Sequence, residues 1–216
     1  MAGRLTFSRL DARRVADNLA RARARIAAAG VDPTGVEICA AIKYVAAEEL
    51  PALAEAGINL VGENRAQDLA AKHERMGDAF AWDFIGALQS RKMRDLAPLV
   101  RLIQSVASDS ALRQLERHPV DEILVEVNVA GQDGKAGIDP AQLGDFIGRS
   151  PVPVTGLMTM PPAVERPEHS RRHFARLAEL AAAHGLERLS MGTSQDFEVA
   201  AAEGATIVRL GSILYE

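Results

Sequence analysis

Four times along this chain an alanine-rich stretch closes on glycine and an apolar, strand-like run follows. The closings are Ala27-Ala28-Ala29-Gly30, Glu55-Ala56-Gly57, Ala183-His184-Gly185 and Ala202-Glu203-Gly204. Glycine reaches the left-handed conformation that ends a helix, so each closing reads as a cap leading into a strand. The runs that follow are Val36–Ile42, Asn59–Gly62, Leu186–Ser190 and Thr206–Leu210. Three of the four are apolar without strict alternation, as in strands buried on both faces. Trp82–Ile85, Leu102–Val106, Ile123–Val129 and Val152–Met158 supply four more such runs. Helical composition fills the intervals, at Ala46–Ala56, Ala66–Arg75, Ser90–Val100, Ala111–Arg117, Pro140–Gly148, Glu168–Ala183 and Phe197–Glu203.

Eight strands recur on average every 24 residues or so, room for a strand, a helix and two short turns. Alternating βα units imply a parallel sheet, and eight of them fit a compact (β/α)8 TIM barrel. The competitor is an open doubly wound sheet, but no G-x-G-x-x-G follows the first strand. No linker or composition shift divides the chain. The 216 residues therefore read as one barrel domain, with a helix in residues 1–30 packing outside and the barrel in residues 36–216. Val15, Leu19, Ala22 and Ile26 form the apolar stripe of that helix. Pro161 to Pro167 reads as a loop after the sixth strand.

Composition narrows the function classes. A net charge of −4 gives no global electrostatic case for nucleic acid or an anionic membrane, and 4% aromatics leave few base-stacking platforms. The longest uncharged stretch, Ser150–Val164, is broken by four prolines and is too short for a membrane helix. The Arg-rich N-terminus lacks the apolar core of a secretory signal, and the lone Cys39 fits a reducing compartment. The expectation is a cytoplasmic protein.

In such a barrel, chemistry sits on the loops after the strand C-termini. Those positions hold mainly amides, hydroxyls and glycines, with one lysine and one arginine. Lys43 closes the run Ile38-Cys39-Ala40-Ala41-Ile42 and has two readings: a solvated lysine at a strand end, which composition alone favours, or an amine partly desolvated by small apolar neighbours and so more accessible in its neutral, nucleophilic form. Ser190-Met191-Gly192-Thr193-Ser194 after the seventh strand and Gly211-Ser212 after the eighth stand where barrels bind phosphate. Ser194 also suits a helix N-cap. Arg209, in the last strand, needs a partner such as Glu63 or a ligand such as a ring nitrogen. A lysine for an aldehyde, a cradle for a phosphate and a cation for a pyridine nitrogen together point to pyridoxal 5′-phosphate (PLP).

Other groupings point elsewhere less well. His169 and His173 are four residues apart without an evident third ligand, and the arginines around them suggest a solvated face rather than a metal site. No His/Asp pair completes a serine triad. The arginines of the first helix alternate with Asp11 and Asp17, as on an ordinary exposed face.

At the same residues the chain resembles the YggS/PROSC family of pyridoxal phosphate homeostasis proteins, from about Glu37 to Tyr215. Ala40-Ala41-Ile42-Lys43 stands at the family's lysine motif, and Gly62-Glu63-Asn64-Arg65-Ala66-Gln67-Asp68 resembles its G-E-N-x-x-Q-E. Trp82 to Lys92 resembles W-H-F-I-G-x-L-Q-S-N-K. Further blocks are Val127-Asn128, Lys135-Ala136-Gly137, Gly156-Leu157-Met158, Leu189 to Asp196 and Arg209 to Ser212. The resemblance implies a monomeric barrel like the alanine racemase N-terminal domain, with PLP as a Schiff base on Lys43. It also implies phosphate contacts from Ser190, Thr193, Ser194, Gly211 and Ser212. Arg209 would face the ring nitrogen, and Asn64 and Met158 would line the ring. Apo PLP-dependent enzymes are the implied partners, and cofactor homeostasis the implied role.

Four positions depart from that pattern. Asp83 replaces the usual His, Arg91 the usual Asn, Thr193 the usual Met, and Ile42-Lys43-Tyr44 the usual Ser-Lys-Thr. The chain also ends at Tyr215-Glu216, short of the family's usual Gly and Arg.

The enzymatic alternative is a racemase-like protein of the same fold. It needs a second acid/base across the cofactor, supplied in alanine racemases by a tyrosine from an additional domain across a dimer. This sequence offers only Tyr44 and Tyr215, and its length leaves no room for that domain. The reading favours a carrier, with Lys135 as a second aldehyde-reactive amine involved in cofactor release.

Overall fold

The computed structural model describes residues 7–216; the first six residues of the expected 1–30 segment lie outside the described residues. Eight parallel strands close into a barrel in chain order. They are β1 (Glu37–Ala41), β2 (Leu60–Glu63), β3 (Ala81–Phe84), β4 (Leu102–Val106), β5 (Ile123–Glu126), β6 (Val154–Met158), β7 (Arg188–Thr193) and β8 (Ile207–Leu210). Pairing of β1 with β8, Glu37 opposite Ile207 and Ala40 opposite Leu210, rules out the open sheet.

Gly30, Gly57, Gly185 and Gly204 all have positive φ, so each expected helix ending is a glycine cap. The helices between strands are α2 (Leu50–Glu55), α3 (Ala66–Met76), α4 (Met93–Leu96), α5 (Asp109–Leu115), α6 (Leu143–Gly148), α7 (Arg171–Ala183) and α8 (Phe197–Ala202). Several are shorter than the composition suggests. Pro98 removes a backbone donor inside the expected Ser90–Val100 helix, and the chain tightens there into a 3-10 turn, Ala97–Leu99. No helix of the described residues is long and apolar enough to cross a membrane.

Two apolar layers support the barrel. Cys39, Leu60, Leu102, Leu124, Met158 and Ile207 pack in its interior. A larger cluster, including Ile42, Leu69, Ile103, Phe146 and Phe174, joins strands to helices. Each such large side chain contributes about 1.5–3 kcal/mol by leaving water.

The leading helix α1 (Ala12–Ala28) starts at Asp11, whose carboxylate accepts from the Arg14 N–H at 2.9 Å. Its buried face is Val15, Asn18, Ala22 and Ile26, with Leu19 only half-buried. Asn18 displaces Leu19 because its amide donates to the carbonyls of Leu214, at 3.1 Å, and Glu216, at 2.9 Å. Thus α1 secures the short helix α9 (Ser212–Tyr215) that follows β8. Nothing in the sequence periodicity marks α9, which is only one turn long.

The His169/His173 pair does not share a solvated face. His169 is exposed, whereas His173 is buried, and burial lowers its pKa.

Between Ser190 and Thr193 the register of β7 against β8 shifts, an irregularity of the kind that re-aims side chains beside functional sites. Gly192 makes it with φ +89°, and a Cβ there would lie 2.5 Å from the Ala200 Cβ. Gly192→Ala therefore adds left-handed strain to an overpacked contact. The expected loss is about 2–4 kcal/mol of unfolding free energy, read by urea denaturation.

Candidate functional site

A cavity of about 790 Å³ opens at the C-terminal ends of the strands. Eight of the nine sequence-expected site residues line it: Lys43, Asn64, Met158, Thr193, Ser194, Arg209, Gly211 and Ser212. Ser190 does not. Its side chain is fully buried beneath the cavity floor, where its hydroxyl joins Gln104 to Arg209.

Lys43 follows β1 and is exposed, its Nζ 4.8 Å from the centre of the Tyr44 ring. Of its two readings, the structure matches the solvated lysine at a strand end and not the desolvated one. Ile42 turns into the core, and the chain then makes a turn closed by the Val45 N–H on the Ile42 carbonyl at 2.9 Å, which presents Lys43 to the open mouth. No hydrogen bond or ion pair ties down the amine among the described residues, but the backbone behind it is held firmly. The Ile42 carbonyl accepts from Lys72 Nζ at 2.7 Å, and Lys72 also pairs with Glu63 Oε2 at 2.6 Å. Glu63 Oε1 accepts from the Asn64 N–H at 2.6 Å. A buried lysine from α3 thus locks the ends of β1 and β2 together.

Asn64 Oδ1 is buried without a hydrogen-bond partner, an acceptor available to a donor in the cavity. Gly86 packs against the backbone of Asn64; a Cβ there would lie 2.1 Å from the Asn64 carbonyl oxygen, so only glycine fits.

The two loops of the expected cradle are joined directly: the Gly211 N–H donates to Ser194 Oγ at 3.1 Å. Ser194 is not the N-cap of α8. Asp196 precedes that helix and closes the turn, its Oδ1 accepting from the Thr193 N–H and hydroxyl at 2.8 and 3.1 Å. Ser170 donates to its other oxygen at 2.8 Å. Thr193 reaches the cavity with its hydroxyl proton already committed.

Arg209 does not pair with Glu63, which Lys72 has taken. It is 5% exposed and no carboxylate lies within salt-bridge distance of it among the described residues. Nη1 donates to Ser190 Oγ and Nη2 to the Thr159 carbonyl at 2.8 Å, leaving Nε without a protein partner. Burial lowers its pKa, against the pull of nearby acidic groups that include Glu126.

Two site residues, Glu126 and Lys72, escaped the sequence reading. Glu126 lines the cavity from β5, across the barrel from β1, and burial raises its pKa while Arg209 opposes the shift. Its alternation with the inward Leu124 was the available signal. Lys72 lies in a polar stretch of α3 that gave none. Tyr44 and Tyr215 both stand on the β1 side: Tyr44 follows Lys43, and the Tyr215 hydroxyl lies 3.3 Å from the Ala41 carbonyl it donates to. Lys135 is exposed on the loop after β5; its neighbour Ala136 lines the cavity.

A lysine beyond the first strand and a hydroxyl- and glycine-lined cradle beyond the last two define a barrel of the alanine racemase type. Clostridium difficile alanine racemase shares that fold at a TM-score of 0.67 and 14% identity, over 92% of this chain and 56% of that one. Closer similarity is found with smaller proteins. The Aquifex aeolicus pyridoxal phosphate homeostasis protein is 37% identical over 203 residues, 87% of this chain and 89% of the relative. That of Pseudomonas aeruginosa is 36% identical over 219 residues, 93% and 94% of the two chains. PipY of Synechococcus elongatus, solved with PLP bound, superposes with a TM-score of 0.79 at 30% identity, over 94% of this chain and all of that one. No family model matches. The chain belongs to the pyridoxal phosphate homeostasis protein family.

Proposed function

We propose that this chain holds PLP through Lys43 and acts in PLP homeostasis as a carrier, not as an amino-acid-transforming enzyme. The observation that carries this reading is Arg209, a buried cation on the cavity wall with no carboxylate partner and no acceptor for its Nε–H among the described residues. Such a charge is costly unless a ligand meets it. The unpartnered Asn64 Oδ1 adds a second group awaiting a ligand.

The remaining assignments follow from position. Lys43 presents its amine at the mouth. Ser194, Gly211 and Ser212 form the anion cradle, while Thr193, whose N–H and hydroxyl proton both go to Asp196, shapes the turn that presents it. Met158 and Asn64 line the space between, and Ser190 acts from below through Arg209. Bound there, PLP supplies an aldehyde for the amine and a pyridine ring that serves as an electron sink when its nitrogen is protonated. Arg209 facing that nitrogen disfavours its protonation, which suits holding the cofactor more than activating it. The tyrosines also favour a carrier: both stand on the side of Lys43 instead of across the cavity from it. A monomer that passes PLP to apo-enzymes in the cytoplasm completes the reading.

The test is to add PLP to purified protein, reduce with borohydride and map the modified peptide. Modification at Lys43, lost in Lys43→Ala, is expected; modification only elsewhere, or none, overturns the assignment. One observation favours the racemase-like alternative, the Glu126 carboxyl opposite β1. Loaded protein incubated with single L-amino acids in deuterated water is expected to exchange no α-proton at enzyme-like rates. Exchange that disappears in Glu126→Gln would establish the alternative.

A further inference from the structure

A file of polar side chains runs through the barrel interior from the strand N-termini to the cavity. Arg101, just before β4, donates from Nε and Nη2 to both oxygens of Asp83, at 3.0 and 2.9 Å, and from Nη1 to Glu37 at 2.6 Å. Asp83 Oδ2 also accepts from Gln104 Nε2 at 2.7 Å. Gln104 Oε1 accepts from Ser190 Oγ at 2.6 Å, and Ser190 Oγ accepts from Arg209 Nη1. Asp83, Gln104 and Ser190 are fully buried. The file crosses from β4 to β7, strands that are not neighbours in the sheet.

The order of donors along it is fixed by its first member. A carboxylate gripped at both oxygens by an arginine only accepts, so Gln104 must offer its NH2 to Asp83 and its carbonyl to Ser190. Ser190 then donates to Gln104 and keeps its lone pairs for Arg209. Turning the Gln104 amide over would set two acceptors face to face at Asp83 and leave the Ser190 proton without an acceptor. Histidine at position 83 carries one donor and one acceptor and imposes no such sense.

We infer that Asp83 is a positioning residue for the cofactor site: through Gln104 and Ser190 it fixes how Arg209 is held, and so where the guanidinium meets the cofactor ring. The inference rests on the proposed PLP-binding function and adds to it a control reaching the site from the opposite end of the barrel.

The experiment compares the full-length protein with Gln104→Met, Ser190→Ala, Asp83→Asn and the double variant Asp83→Asn/Gln104→Met. It reads PLP affinity, the absorption band of the bound cofactor and the melting temperature of the apo-protein. Cutting the file at Gln104 or Ser190 is expected to weaken binding about tenfold and to move the band, while borohydride still labels Lys43. Asp83→Asn moves the band in the same direction. Added to Gln104→Met it moves the band no further, because residues that act through one path are not additive. A second readout needs no cofactor: phenylglyoxal labelling of Arg209 in apo-protein is expected to be several-fold faster in Gln104→Met and in Ser190→Ala. If Gln104→Met does not fold, Ser190→Ala carries both measurements. An unchanged band and unchanged Arg209 labelling in a folded variant overturn the inference, as does an additive double variant. Wild-type protein that fails to label at Lys43 overturns the functional reading instead, and Arg209 labelling still decides the positioning role.

Discussion

Replacing Lys72 by methionine lowers the unfolding free energy by about 3–5 kcal/mol, the cost of leaving one member of a buried ion pair without its partner. Methionine keeps the length and apolar stem of lysine, so packing changes little and the loss is electrostatic. Glu63 is fully buried, and after the substitution its Oε2 faces a space emptied of charge. Its other oxygen still accepts from the Asn64 and Arg65 N–H groups, which is too little for a carboxylate. The Ile42 carbonyl loses one of its two donors in the same step, keeping only the Val45 N–H. The backbone before Lys43 and the backbone of Asn64 are thereby released together, and PLP affinity falls at least about tenfold even where the fold survives. Urea denaturation of the apo-protein checks the first effect and PLP titration the second. Adding Glu63→Gln to Lys72→Met is expected to restore most of the stability by removing the stranded charge, though not the geometry of Lys43. A single-variant loss below about 1 kcal/mol would mean that the pair is solvated and does not lock the strands.

That lock was invisible in the sequence, whereas the barrel around it was not. Gly30, Gly57, Gly185 and Gly204 announced helix ends because positive φ is a local requirement, and local requirements leave local residues. Lys43, Ser194, Gly211 and Ser212 were expected to share one cavity for a related reason, and they line it: a barrel puts its mouth after the strand ends, so locating the ends locates the lining residues. Side-chain direction was harder. The apolar run before Lys43 left its direction open, and the structure decides it: the Ile42 side chain takes the core position and the lysine faces the mouth. Asn18 took the buried place expected of Leu19 because α9 offered it two carbonyls. What stayed hidden was pairing at a distance. Lys72 sits in α3 among residues that read as surface, and its partners lie 9 and 30 positions back. Gln104 and Ser190 meet across the barrel, 86 residues apart, through a stagger that no single strand encodes.

Arg101→Met is expected to cost about 3–5 kcal/mol near neutral pH and progressively less as the solution is acidified. Two carboxyls set the sign. Burial pushes the Asp83 pKa above its ordinary value, and the hydrogen bonds and charge of Arg101 hold it from rising further. A carboxyl whose folded pKa lies above its unfolded one binds protons more tightly when folded, so its penalty grows as pH rises and is relieved by acid. Without Arg101 that penalty is larger at neutral pH, and acid relieves more of it. Burial works the same way on Glu37, but Arg101 and Arg188 outweigh it and leave the pKa below its ordinary value. The stability Glu37 contributes is present above the ordinary carboxylate range and lost as pH falls through the lowered folded value. The wild type therefore loses on acidification part of what the variant never had. Both carboxyls close the gap in the same direction, Asp83 as pH falls through its raised folded value to the ordinary carboxylate value and Glu37 from that ordinary value down through its lowered one. Urea denaturation of both proteins at neutral pH and within that range checks the trend; a gap that stays constant or widens in acid would sink it. A protonated Asp83 also gains a donor, so the sense of the Gln104 amide is no longer imposed. In Arg101→Met the band of bound PLP should consequently begin to shift at higher pH than in wild type, where Arg101 keeps Asp83 a carboxylate acceptor further into acid.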